Sequence, residues 1–144
     1  MTGRRPAGTT ARDVGIGLGV WVVATAAVVA VGNAVIPTAG NAWRWGLAAT
    51  VAAGTYGLGA GLARWAARRH PADTRAGERL VRAVAVVGLV ADGVLILLPG
   101  GYPGIDGERA GPLAATLLVA YGALLVGGRG GRLGPADVRP AGVG

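Results

Sequence analysis

Apolar residues in this chain fall into four long blocks, and the short stretches between them collect almost all of the charge. The first block covers residues 14–36, with no charged residue between Asp13 and Arg44. The second covers 45–63 and stays uncharged until Arg64. The third covers 83–98 and is broken only by Asp92, and the fourth covers 112–127, just before Arg129. A helix needs roughly 20 apolar residues to cross the hydrocarbon core of a bilayer. In lipid each backbone polar group must find its partner inside the segment. The pattern therefore predicts four membrane-spanning helices, an all-α transmembrane bundle running up-down-up-down.

Prolines punctuate the blocks. Pro37 follows the first and Pro99 the third, where a missing N–H and a ring clash stop a helix. Pro112 stands where a first-turn proline is tolerated, and so is expected to open the fourth helix. The stretch from Pro99 to Gly107 is rich in Gly and Pro and reads as a turn-rich loop. Residues 1–13 read as a basic tail, and residues 128–144, rich in Gly, Arg and Pro, as a disordered one. Arg4 and Arg5 before an apolar run suggest a cleaved signal peptide, but the run exceeds the roughly 7–15 apolar residues of such a leader.

Composition sharpens this picture. The 144 residues are 52% hydrophobic and 15% charged. A soluble domain of this size would show more polar surface. The net charge of +7 comes from 14 Arg, with no Lys, against 7 acids. Nucleic-acid binding is the first thought for such a balance, yet these Arg flank apolar blocks and do not form a soluble basic face. Twelve of them fall in the N-terminal tail, the 64–82 connection and the C-terminal tail, leaving only Arg44 and Arg109 for the other side. By the positive-inside rule both termini and the 64–82 connection are cytoplasmic, an N-in/C-in topology. Trp43, Trp45 and Trp65 suit the two membrane interfaces. Arg without Lys, with abundant Ala, Gly and Val, suggests a GC-rich bacterial genome, and hence a multi-pass protein of a bacterial cytoplasmic membrane.

Absences remove whole classes of chemistry. There is no Cys, so thiol, disulfide and iron–sulfur chemistry are excluded. A single His, His70, argues against histidine-based metal sites. Ser is absent, which disfavours a hydrolytic nucleophile. No cofactor is implied. Gly15-Ile16-Gly17-Leu18-Gly19 lacks a preceding strand and is no phosphate loop.

Asp92 is the one acid inside a block. A carboxylate near the centre of a spanning helix costs about 2.5–3.5 kcal/mol on insertion scales, so it should face the bundle interior. It lies roughly 10 Å from the outer end by helical rise. Asn33 and Thr50 fall at similar depth, Tyr56 and Tyr121 deeper, and Arg44 has a stem long enough to reach down. These six form the candidate intramembrane polar site. Its functional reading is a group that binds a proton or a cation. Its plainer reading is a polar contact that fixes helix packing.

Small residues recur every four positions: Ala49, Ala53, Gly57 and Gly61 in the second block, Gly15 and Gly19 in the first. Such spacing lets helix backbones approach closely, within the bundle or between subunits of a homodimer or a larger membrane complex. The Arg of the 64–82 connection suit anionic lipid headgroups, although topology alone explains them.

The stretch 86–127 resembles an uncharacterised family of small four-helix bacterial membrane proteins. The matching elements are Ala91-Asp92-Gly93 before an apolar run, then Tyr102-Pro103-Gly104-Ile105, and a helix ending Ala120-Tyr121-Gly122-Ala123-Leu124-Leu125. The chain departs from the pattern in having no Phe and a Gly-enriched loop. The resemblance implies the four-helix fold and carries no assigned activity. The expected function is that of a non-enzymatic integral membrane protein, an accessory or scaffold subunit. The alternatives are a small proton-coupled transporter using Asp92, and a membrane-embedded enzyme on a lipid or isoprenoid with Asp92 as general acid, assisted by Tyr56 or Tyr121.

Overall fold

A computed structural model describes residues 11–37 and 42–130. Four helices account for most of them: α1 (Ala11–Val35), α2 (Arg44–Arg69), α3 (Ala76–Leu97) and α4 (Gly107–Gly130). All four are long and apolar enough to cross a membrane. They form an all-α up-down-up-down bundle, so α1 and α3 begin at the end where α2 and α4 finish. We call that the basic end, and the opposite one, holding the 98–106 loop, the Pro-Gly end.

The helices outrun the apolar blocks. Helix α2 continues through Arg64, Arg68 and Arg69, and α3 starts at Ala76 instead of 83. The long basic connection thus shrinks to residues 70–75. Charge ends contact with lipid but does not end a helix, and Arg has good helix propensity. Asp73 supplies the start signal for α3: its carbonyl accepts the Ala76 N–H at 3.1 Å and its carboxylate the Arg75 N–H at 3.0 Å. Helix α4 likewise begins at Gly107, behind Asp106, so Pro112 lies inside the helix and does not open it. Gly128–Gly130 are helical, against the expectation of a disordered tail from residue 128. The tail residues 1–10 and 131–144 lie outside the described residues.

Helices α2 and α4 form the most extensive pair, α3 touches all three others, and α1 leans mainly on α3. Without a hydrophobic force between helices in lipid, such pairs are held by close packing and hydrogen bonds. On the α2–α4 seam a Cβ at Gly59 would strike the Leu124 carbonyl, and one at Gly127 the Tyr56 carbonyl. The closest approaches in the bundle therefore need glycine at these two positions.

The small-residue stripe singled out in the sequence sits elsewhere. A Cβ at Gly15, Gly19, Gly57 or Gly61 would meet nothing within 4 Å, and Ala49 and Ala53 are exposed. The intramolecular contacts use Gly17 and Gly59, two positions out of register with that stripe. Gly and Ala on all faces of these helices let several registers look equally suitable.

Two apolar clusters close the bundle. At the basic end Ala63, Ala66, Ala76, Leu80, Val81, Val84, Ala85 and Leu124 pack together. At the Pro-Gly end Ile36, Tyr102 and Leu113 do so, joined by Val28, Leu95, Ile105 and Leu117. Helix α1 is the least buried of the four, and polar contacts spaced along it hold it in place. Arg79 bonds Asp13 at 3.4 Å near its start. Asn33 Oδ1 accepts the Asp106 N–H at 3.1 Å near its end, and the Ile36 carbonyl accepts from Arg109 at 3.0 Å just beyond. A further contact, midway, is the site described next.

Candidate functional site

Between the two apolar clusters lies Asp92, with 4% of its surface exposed. Helix α3 carries it five residues before Leu97, about 7.5 Å from the helix end by helical rise. Three other elements send a donor to its carboxylate. From α1, Trp21 Nε1–H donates to Oδ1 at 2.8 Å. From α4, the Tyr121 hydroxyl donates to Oδ2 at 2.5 Å. From the 98–106 loop, the Tyr102 hydroxyl lies 3.3 Å from Oδ1 and equally far from Thr25 Oγ1, so its one proton serves either acceptor.

Local structure makes each contact possible. Leu98 is extended, as a residue before proline tends to be, and Gly100, Gly101 and Gly104 have φ of 96°, 71° and 71°. Side chains rarely adopt that region. The glycines let the loop fold back and place Tyr102 inside the bundle, 3% exposed. One turn before Asp92, Gly88 leaves room for a ring: a Cβ there would stand 2.5 Å from the Tyr121 hydroxyl and 2.7 Å from Cε1. Tyr121 thus lies across the bare backbone of Gly88 and reaches the acid above it.

The cluster borders a cleft of about 110 Å³. Helix α1 gives it Trp21, Ala24 and Thr25, α2 gives Thr55 and Leu58, and α4 gives Leu117 and Ala120. Ala24 and Leu58 of its lining are exposed, so the cleft opens at the surface of the bundle. It exists because α1 leans on α3 and leaves a gap toward α2 and α4. No Arg or His is among the described residues that line it. Every buried side-chain nitrogen and oxygen among the described residues has a partner.

The expected polar site is thus partly assembled. Asp92 and Tyr121 meet. Asn33 is at the Pro-Gly end, holding the start of α4. Thr50 donates to the Gly46 carbonyl on its own helix at 2.9 Å. Tyr56 is half exposed and runs toward the far end of α4 beside Gly127 and Gly130. Arg44 stacks on the Trp45 ring, 5.2 Å from its centroid. None of these four lines the cleft.

Trp21, Tyr102 and Thr25 are the cluster residues that sequence reasoning missed. Trp21 carried a signal, because a Trp at mid-span is out of place for a residue that prefers the interface. Tyr102, in the 98–106 loop, carried no such signal in depth or periodicity.

A second space of about 280 Å³ opens at the basic end, lined by Arg12, Asp13, Trp65, His70 and Arg79 among others. Arg79 is shared there between Asp13 and Asp73, the latter at 2.7 Å. That hydrogen bond, followed by the one from the Arg75 N–H, holds the Asp73 carboxyl below its usual range. Arg69 stacks on Trp65, 5.3 Å from its centroid. Compared with known protein families, curated proteins and solved structures, the chain matches none.

Proposed function

We propose that this chain is a small proton-coupled transporter of a bacterial cytoplasmic membrane, non-enzymatic, with both termini in the cytoplasm. The single observation that carries this reading is a buried carboxylate with only neutral donors around it, bordering a cleft that opens at the surface of the bundle. Intramembrane acids are rare because they are costly, and they mark proton and substrate pathways. The groups facing Asp92 are Trp21 from α1, Tyr102 from the loop and Tyr121 from α4. None is cationic. The counter-charge of an ionised Asp92 is then a proton or a cation arriving through the cleft.

The coupling follows from hydrogen-bond strength. Bonds to an ionised carboxylate are about twice as strong as neutral ones. An ionised Asp92 therefore grips α1 through Trp21 and the loop through Tyr102. A proton or cation on the same oxygens loosens both, and α1, with little other packing, is the element free to respond.

The test is ion flux in proteoliposomes. Wild-type chain should move protons across the vesicle membrane under a substrate gradient, and Asp92→Asn should abolish that movement while the helices stay folded by circular dichroism. Undiminished flux in Asp92→Asn overturns the proposal. Topology is checked by reporters fused at Gly144 and at Gly100, with the positive-inside rule placing the first in the cytoplasm and the second outside.

A specific observation favours a second reading, the accessory or scaffold subunit. Three elements converge on Asp92, and every buried side-chain nitrogen and oxygen among the described residues has a partner, which suits a structural lock. In that case Asp92→Asn lowers thermal stability in detergent and no flux exists to lose. The enzyme reading has least support, since Tyr56 stands apart from Asp92 and Tyr121 already bonds it. The Arg residues at the basic end favour contact with anionic headgroups, at about 1 kcal/mol per charge near the surface.

A further inference from the structure

We infer that the Asp92 cleft binds a small lipid-soluble organic ammonium ion, one positive nitrogen carrying a short apolar group. This inference names the substrate of the site proposed above and rests on that reading for transport, but not for binding.

The chemistry of the walls selects the ligand. The lining brings together the Asp92 carboxylate and the Trp21, Tyr102 and Tyr121 side chains that bond it. A carboxylate beside aromatic rings suits an ammonium, which gains from both the charge and the ring faces. The remaining wall residues include Val20, Val28, Leu58, Leu117 and Leu124, which suit hydrocarbon.

Divalent cations fit the site poorly. A divalent ion such as calcium takes six to eight oxygens, and magnesium demands an octahedron of them. Among the described residues, the side-chain oxygens lining the cleft are those of Asp92, Thr25, Thr55, Tyr102 and Tyr121. Asp92 is the one anionic group among them, so a divalent ion would keep a net positive charge in an otherwise neutral, largely apolar cleft. An ammonium needs far fewer oxygens and brings its own apolar body.

Size and access agree. A cavity of about 150 Å³ lined by aliphatic and aromatic groups holds a benzene molecule, so about 110 Å³ suits a chain of four or five heavy atoms. Ala24 and Leu58 at the surface put the mouth against the acyl chains, so the ligand enters from the membrane and must partition into it.

The experiment uses the full chain in lipid nanodiscs with n-butylamine as the probe and 1-butanol as its neutral counterpart. Binding is read by calorimetry at neutral pH, where the amine is protonated. Saturable butylamine binding is expected, with 1-butanol at least about tenfold weaker, a difference set by one charge-assisted contact. Asp92→Asn should weaken butylamine by a similar factor. Ala24→Leu narrows the cleft without touching the acid and should weaken both ligands, which keeps the test valid if Asp92→Asn does not fold. Equal affinity for amine and alcohol, no saturable amine binding, or amine binding unchanged in Ala24→Leu would each overturn the inference. Amine binding without proton movement in vesicles leaves the inference standing and sinks the transporter. Asp92-dependent proton movement driven by sodium and not by amine does the reverse.

Discussion

The indole of Trp21 on α1 donates to Asp92 on α3 at 2.8 Å, across 71 residues of sequence and near the middle of the bundle. Trp has one N–H and no polar lone pair, so the contact has a fixed sense, from ring to carboxylate. It is the central of the polar contacts that hold a helix with little other packing. Moving α1 means breaking it.

Trp21→Phe keeps the ring and removes the donor. We expect a loss of about 1–3 kcal/mol in stability, the range for a buried acceptor deprived of one partner. Thermal unfolding in detergent should show a clear drop. Val22→Ala, at the neighbouring half-exposed position, should leave it almost unchanged.

Gly88→Ala should displace the Tyr121 ring, since the new methyl would lie 2.5–2.9 Å from its hydroxyl, Cε1 and Cζ. Overpacking of this kind costs about 1–3 kcal/mol. Tyr121→Leu removes both the clash and the hydroxyl. The double variant should therefore be no less stable than Tyr121→Leu alone, a non-additivity that a double-mutant cycle reads directly. Simple additivity would mean that Gly88 is not what seats the ring.

The α2–α4 seam makes a position-specific forecast. Gly59→Ala and Gly127→Ala should unseat the helix pair and lower the unfolding temperature strongly, because the obstruction is backbone. Gly57→Ala and Gly61→Ala, with open space around them, should leave the isolated chain unaffected. Should these two change the oligomeric state in detergent, that face of α2 carries a subunit contact.

Asp73 gives a pH dependence. Its folded-state value is lowered chiefly by the Arg79 hydrogen bond and then by the Arg75 N–H. A depressed carboxyl stabilises above its unfolded value of 3.8 and loses that contribution as pH falls through the folded value. Asp73→Asn should therefore be less stable than wild type at neutral pH, and the gap should close well below pH 3.8. Unfolding curves of the two proteins across that range decide it. A gap that widens toward acid would reverse the assignment.

The pattern of apolar blocks determined the helical class, the number of spanning elements and the burial of Asp92, because in lipid a long uncharged segment has one backbone solution and an acid in it must turn inward. Helix ends were less legible. Asp73 and Asp106 start α3 and α4 among charged residues, where hydropathy falls silent although the helix continues. Only the tertiary structure decided which polar residues share a site. Depth along a helix placed Thr50 and Asn33 beside Asp92, but depth says nothing of the face on which a side chain emerges. The structure put Tyr102 there through a loop that turns on glycines at positive φ, and Trp21 through a helix that touches its neighbours mostly at α3. It also moved the close contacts to Gly59 and Gly127, since where small residues lie on every face the register is set by the partner helix and cannot be read from one strand of sequence.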